Sequence, residues 1–347
     1  MIFSMLIGAE GAQTPAGVRG WGDPAGAQVP RRLPGPPAES EAPGAEINTQ
    51  FNTRKKYRGV GKVMKVGYLG PKATFTELAV SKVFKGFELE PYNTIPESID
   101  AIVDHKVDLA VVPVENALEG SVNITLDYLT HIVDIPIVGE ITLPIKQHLM
   151  VHPDNKDHWQ SVSKVFSHSH AIAQCHKFLH THFKGVPIES ISSTAAAAKM
   201  VMEQPKMNAA AIANELAAKE YGLAIVQKNI HDFHFNHTSF FVLSEQGLDF
   251  AEISGSSHYK TTLMVTLPSD QAGALHQVLS AFAWRKLNLS KIESRPMKTG
   301  IGNYFFIIDL EMKLDDVLIP GAIAELEALG CGVKVLGSYP SVMVNLD

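Results

Sequence analysis

Apolar positions follow two regimes along the chain. From residue 65 to about 243, short apolar runs alternate with stretches in which apolar residues recur every three to four positions. Strands alternating with helices in this way predict an α/β architecture. Strands are expected near 65–69, 87–91, 108–114, 136–150, 164–167, 187–191, 209–213 and 238–243. Thr94-Ile95-Pro96-Glu97 reads as a capping box with proline in the first turn, which predicts a helix running to about His105. A second helix fits Ala171 to His182. A third opens at Ser193 or Thr194, whose hydroxyls can satisfy the free amides ahead of the alanine-rich run 195–202.

Glycine and serine break the pattern at 244–258 (SEQGLDFAEISGSSH), which reads as a linker. Beyond it, strand patterns at 260–267, 288–297, 303–312 and 333–339 enclose helical ones at 273–286 and 316–329. That order, βαββαβ, predicts a ferredoxin-like module over 259–347. Residues 1–63 are rich in Gly, Pro and Ala without periodicity, and are expected to be a disordered extension. Met64 stands directly before the first strand and marks a candidate translational start, which mass spectrometry of the natively expressed protein would test.

Composition narrows the class. Of 347 residues, 45% are hydrophobic and 19% charged, the balance of a folded soluble protein rather than a fibrous or disordered one. A net charge of −6, with no basic stripe interleaved with aromatics, argues against nucleic acid as a partner; Arg54-Lys55-Lys56 reads as a solvated cluster. The two cysteines, Cys175 and Cys331, fall in different predicted modules, so no disulfide is expected and a reducing cytoplasm fits. The fifteen histidines form no HExxH and have no C-x-x-C companion, and no metal is expected. The apolar run at the N-terminus is too short to span a bilayer and lacks the preceding positive charge of an export signal, so no membrane partner is expected.

Four peptides are more polar than packing requires. Tyr68–Glu77 (YLGPKATFTE) follows the first strand and leads into a helix, where an α/β sheet presents ligands; it also reads as an ordinary helix cap. Val114–Val122 (VENALEGSV) ends an apolar strand in polar groups, or is a turn with an N-cap at Ser121. In Ser167–Cys175 (SHSHAIAQC), His168 and His170 share no helical face and lack a partner in register, so capping or exposed roles fit better than metal ligation. Asn236–Leu243 (NHTSFFVL) puts a threonine at the start of an apolar strand, ordinarily just a β-former.

Together with Ala209–Leu223 (AAAIANELAAKEYGL), these peptides resemble, in order, the motifs of the prephenate dehydratase family, and the likeness spans residues 65–340. Gly273–Leu279 (GALHQVL) and Glu293–Pro296 (ESRP) are similar to the two phenylalanine-binding peptides of that family's ACT domain. Two departures stand out: Ser239 replaces the usual arginine of a Thr-Arg-Phe signature, and His168-Ser169-His170 replaces His-Pro-Gln.

The resemblance implies a two-lobed, periplasmic-binding-protein-like α/β catalytic region over 64–243 and an ACT domain over 259–347. It also implies a cytoplasmic homodimer or homotetramer that needs no cofactor. It makes prephenate the substrate and L-phenylalanine an effector. Thr238 would donate a hydrogen bond or proton to the leaving hydroxyl. Thr76, Asn116, Gly120, Ser121, Ser167, Gln174, Ser193, Thr194 and Phe240 would bind substrate. Gly273, Ala274, Leu275, His276, Glu293, Ser294, Arg295 and Pro296 would bind the effector. Arogenate as substrate, and a non-catalytic amino-acid-sensing binder, are the alternatives. A fused chorismate mutase is less expected, because it needs long helices that the proline-rich first 63 residues cannot supply.

Overall fold

The computed structural model describes residues 63–268, 272–297 and 304–346, so nearly all of the expected N-terminal extension lies outside the described residues. Strand β1 (Lys65–Leu69) pairs in parallel with both β2 (Glu88–Tyr92) and β3 (Leu109–Asn116). Parallel neighbours need crossovers, supplied by α1 (Phe75–Val83) and α2 (Ile95–Val103). Both helices start at a threonine cap: Thr74 accepts from Glu77 N–H and Thr94 from Glu97 N–H. Glu97 reaches back to the Asn93 N–H, one residue ahead of the cap, in a variant of the capping box. The short β4 (Gly120–Ser121) folds back antiparallel on β3, and α3 (Asn123–His131) leads to β5 (Ile137–Pro144).

The chain then crosses into a second sheet. It comprises β6 (His148–Val151), β7 (Lys164–Ser167), β8 (Ile188–Ser190), β9 (Ala209–Ala213) and β10 (Ala224–Gln227), in the order β10-β6-β9-β7-β8. Between these strands run α4 (Ser169–Gln174), α5 (His176–His182), α6 (Thr194–Glu203) and α7 (Glu215–Tyr221). The chain returns as β11 (His237–Leu243), inserted antiparallel between β3 and β5 of the first sheet. Two lobes joined by two crossings, 145–147 and 228–236, are the layout the resemblance implies.

Three expectations are corrected. The single strand expected over 136–150 is two, because residues 145–147 carry the chain between sheets. The helix expected over 171–182 breaks at Cys175 (φ −114°, ψ 21°), and the break frees the Lys177 N–H, which donates to Asp232 Oδ2 at 3.1 Å. The expected linker contains α8 (Phe250–Ser254), capped by Asp249. Phe250 is 1% exposed and packs on Gly139, where an added Cβ would lie 2.4 Å from its ring. Glycine at 139 makes the room that lets this segment pack against β5 of the first sheet.

The C-terminal module has the expected order: β12 (Tyr259–Thr266), α9 (Ala274–Ala283), β13 (Leu289–Pro296), β14 (Tyr304–Leu310), α10 (Leu318–Ala328) and β15 (Gly332–Met343). Its sheet does not stand apart. β15 pairs with β12 along Gly332–Pro340 and then, through Ser341–Met343, runs parallel to β5. The order β13-β14-β12-β15-β5-β11-β3-β1-β2 is therefore continuous across both modules. Gly337 sits at the join, where a Cβ would meet the Ile137 carbonyl oxygen at 2.3 Å, so only glycine allows the close approach. Cys175 and Cys331 are buried and free. Among the described residues no helix is long and apolar enough to cross a membrane, and no group of three or more His, Cys, Asp or Glu residues could hold a metal ion.

Candidate functional site

Because β11 is antiparallel to β3, Thr238 lies directly opposite Asn116. The Asn116 amide is fully used. Its Oδ1 accepts from Leu118 N–H (3.0 Å) and Glu119 N–H (3.1 Å), closing the turn after β3. Two backbone donors on one side fix which atom is oxygen, so Nδ2 faces β11, donating to Thr238 Oγ1 at 2.9 Å and to His237 O at 3.2 Å. A hydroxyl has one proton to give and two lone pairs to accept with. Here one lone pair is engaged, and among the described residues no acceptor takes the proton. Thr238 is half-buried.

Three of the four polar peptides meet, and the fourth, Tyr68–Glu77, is joined to the second lobe through Asn214. Thr238 meets Asn116; Glu119, in the turn next to Asn116, faces His170 of α4 across the lobes at 3.7 Å. Asn214, which caps α7 in the second lobe, donates from Nδ2 to Ala73 O at 3.0 Å in the loop before α1. Ala73 is buried with φ 66°, and its N–H is held by Glu77 Oε2 at 2.5 Å. The loop from 70 to 74 is thus pinned at both ends of one residue, against its own helix and the opposite lobe. His168 accepts from the His170 N–H at the start of α4, the capping role its position predicts.

The remaining substrate candidates separate. Gly120, with φ +82°, sits opposite Asn116 in the turn. Gln174 is 6% exposed with Oε1 unpartnered, an acceptor held ready beside the crossing at Asp232, whose N–H donates to Gln174 O. Ser193 caps α6, accepting from Ala196 N–H at 3.0 Å, and Thr194 is half-buried beside it. Others have different partners from those expected. Ser167 is fully buried and donates to Ile212 O at 2.7 Å, tying β7 to β9. Phe240, 1% exposed, packs in the core with Val66, Tyr68 and Ile141 and presents no surface to a ligand. Thr76 is 5% exposed in the first turn of α1. Ser121 turns to the C-terminal module, donating to Glu293 Oε2 at 2.5 Å and accepting from Lys291 Nζ at 3.0 Å. Two buried amide oxygens that sequence reasoning missed, Asn236 Oδ1 and Gln147 Oε1, also lack partners, and both lie on the interlobe crossings.

Comparison with known proteins settles the family. The family model for prephenate dehydratase matches residues 66–247, and that for the ACT domain matches 261–329. A prephenate dehydratase of Bacillus subtilis is 62% identical over 282 residues, covering 80% of this chain and 99% of its own. The chain belongs to the prephenate dehydratase family. Among solved structures, the prephenate dehydratase of Arthrobacter aurescens in complex with L-Phe superposes with a TM-score of 0.71 at 33% identity, covering 81% of this chain and 93% of its own. A protein described as a quorum-quenching acylase superposes with a TM-score of 0.69 at 25% identity, covering 80% of this chain and 98% of its own.

Membership sharpens the question of Ser239, which stands where the prephenate dehydratase family usually has arginine. Neighbours in an extended strand project to opposite faces, so Ser239 points away from the side of Thr238. Its hydroxyl lies 3.2 Å from Thr142 Oγ1 and lines a cavity of about 160 Å³ with Glu115, Glu140, Lys260, Lys291 and Asp309. The serine therefore removes no cation from the face that carries Thr238. On its own face, Lys260 pairs with Glu140 at 2.9 Å and Lys291 with Glu115 at 2.6 Å.

Burial pushes the Asp309 carboxyl up to about 6, against the hydrogen bond from Thr262 Oγ1 at 2.7 Å. A carboxyl whose folded value is raised contributes stability that is present below its unfolded value near 4 and is lost as pH rises through 6. At about 1.4 kcal/mol per pH unit, the rise corresponds to about 3 kcal/mol. Asp309→Asn keeps the acceptor for Thr262 and removes the charge. It is expected to be near neutral at pH 4 and stabilising at pH 8, with urea unfolding at the two pH values as the measurement.

The effector candidates divide by face. On β13, an edge strand, Glu293 and Arg295 turn toward the catalytic region, while Ser294 and Pro296 are exposed. Arg295 pairs with Asp127 Oδ1 at 2.5 Å and donates to Asn123 Oδ1, both on α3. Gly273, with φ +87°, precedes α9; Leu275 and His276 are exposed and Ala274 is buried. Glu293 and Arg295 were expected to contact the effector; here their side chains are occupied within the chain.

Proposed function

We propose that this chain converts prephenate to phenylpyruvate, carbon dioxide and water, and that L-phenylalanine acting on the C-terminal module controls the rate. The observation that carries the reading is the Thr238 hydroxyl, which accepts from Asn116 and keeps its own proton uncommitted. Prephenate holds a ring one step from aromaticity. As the ring carboxylate leaves as carbon dioxide, its bonding electrons complete the aromatic ring and expel the hydroxyl, and the step overall consumes one proton. A donor aimed at the departing oxygen stabilises charge that exists only as the bond breaks, which is where catalysis gains. The donated bond from Asn116 polarises the Thr238 O–H and strengthens it as a donor.

The Gln174 amide nitrogen, Ser193 and the amides at the starts of α4 and α6 are the donors we assign to the substrate's carboxylates, with Asn116 and Gly120 shaping the turn beneath. Residues 64–243 form the catalytic region and 259–347 the effector module in this reading, and the chain works in the cytoplasm as a homodimer or homotetramer. An acylase would need a base within hydrogen-bond reach of its nucleophile. The partner of Thr238 is an amide donor, which cannot take a proton, and this favours the dehydratase.

The test is phenylpyruvate formation by the purified full chain from prephenate and from arogenate, each with and without phenylalanine. Turnover of prephenate, preferred over arogenate and altered by phenylalanine, is expected. A chain that binds prephenate without consuming it would be the non-catalytic binder instead.

A further inference from the structure

The turn that carries Asn116 has two faces. Asn116 serves the inner one. On the outer face Glu115, adjacent in β3, and Ser121, its register partner in β4, both meet Lys291 of the C-terminal module. Lys291 Nζ lies 2.6 Å from Glu115 Oε2, 3.0 Å from Ser121 Oγ and 3.3 Å from Glu293 Oε2. An ammonium has three protons to donate, and here each has a partner. One cation therefore spans both strands of the turn at the single register position 115–121, while Glu293 accepts from the same Ser121 hydroxyl. Arg295 extends the contact one turn further, to Asn123 and Asp127 of α3.

We propose that Lys291 is a positioning residue for the reaction: held in the C-terminal module, it clamps the outer face of the 115–121 turn and so fixes Asn116 against Thr238. This rests on the reading of Thr238 given above. Lys291 touches no reacting atom in this assignment, and acts only through Glu115, Ser121 and the amide they flank. Two features make the clamp more than a surface ion pair. The lysine side chain is 16% exposed, while Glu115 is 43% exposed, so water reaches the pair mainly from the carboxylate side. Glu115 is one peptide bond from Asn116 and Ser121 is its register partner across the turn, and a shift of about 1 Å in a catalytic contact can cost about a hundredfold in rate. The clamp also makes the catalytic region depend on the module that would sense the effector, since β13 carries both Lys291 and the 293–296 peptide.

Steady-state kinetics of the full chain on prephenate test it. Lys291→Met, which keeps the length of the stem and removes the charge, is expected to lower kcat about 10- to 100-fold with KM changed less than about threefold. Glu115→Gln, which leaves the lysine in place, is expected to shift kcat in the same direction. In a Thr238→Ala background, Lys291→Met should add little further loss, because both act on one hydroxyl. Wild-type kcat in Lys291→Met, or a loss fully additive with Thr238→Ala, overturns the proposal while the dehydratase reading stands. An unmutated chain that does not consume prephenate overturns that reading instead, and with it the positioning role. Circular dichroism and melting curves accompany each variant; if Lys291→Met fails to fold, Glu115→Gln alone carries the comparison, and its wild-type kcat counts against the clamp.

Discussion

Thr238→Ala is expected to lower kcat for prephenate by about 10²- to 10⁴-fold, the range a positioned proton donor contributes, with KM and melting temperature near those of the unmutated chain. The stability expectation comes from the side chain's surroundings. Thr238 is half-buried near the start of β11, its ladder bonds are backbone bonds, and alanine keeps them. Alanine removes one side-chain hydrogen bond, that from Asn116 Nδ2, whose second acceptor, His237 O, remains. The rate expectation comes from the same bond. Of the hydroxyls among the substrate candidates, those of Ser121 and Ser167 donate inside the protein. Thr238 has its oxygen held and, among the described residues, no acceptor for its proton; Ser193 shares that state but caps α6 in the other lobe. Thr238→Ser, which keeps the hydroxyl, should recover most of the rate, whereas near-normal turnover in Thr238→Ala would place the donor elsewhere.

Much of the fold was legible because its signals are local. Lys65–Leu69, Lys164–Ser167 and Ala209–Ala213 appear at their expected bounds, since each is a short, largely buried run with a strand neighbour on both sides. The capping box at Thr94 placed α2 for the same reason. What was not legible depends on partners far along the chain. The Lys177 amide freed by the break at Cys175 donates to the carboxylate of Asp232, fifty-five residues along the chain. The packing of the supposed linker follows from Gly139 making room for Phe250, and no period in 244–258 announces that. β15 runs past its expected end at Tyr339 because its last residues pair with β5 of the other module.

The site divides in the same way. Thr238 and Asn116 could be named from their peptides, but that they face each other depends on β11 returning between β3 and β5. Which way the serines point depends on tertiary context. Ser239 and Ser121 lie on the outer face, where β13 docks, and of the two residues that meet Ser121, Glu293 comes from a peptide that reads, in isolation, as effector-binding only, while Lys291 lies just ahead of that peptide. Residue type and spacing identified the polar peptides; the alternation of two antiparallel strands decided which of their residues meet.

Replacing Asn116 by aspartate should cost about 10²- to 10³-fold in kcat, the loss expected when one preorganised donor is removed from a catalytic site, and should cost more than replacing it by alanine. Size does not explain this order, because aspartate is the isosteric change. The introduced carboxylate keeps the acceptor for Leu118 and Glu119 N–H, so the turn is retained. Its second oxygen, however, takes the place of Nδ2, 2.9 Å from Thr238 Oγ1 and 3.2 Å from His237 O. The carbonyl cannot donate to it, and the threonine can. The hydroxyl proton is then drawn to the carboxylate, in a charge-assisted bond roughly twice as strong as a neutral one, and is withheld from the leaving group. Alanine opens the turn but leaves that proton free to rotate toward substrate. The pH dependence separates capture from simple damage: as pH falls toward the range in which the introduced carboxyl protonates, it regains a donor, and the ratio of Asn116→Asp to wild-type kcat should rise. The alanine variant has no such group, so its ratio should stay flat over the same interval. Measured kcat against pH for the three proteins checks both points. An aspartate variant no slower than the alanine one, with a flat ratio, would mean that the direction of the Thr238 proton does not govern the reaction.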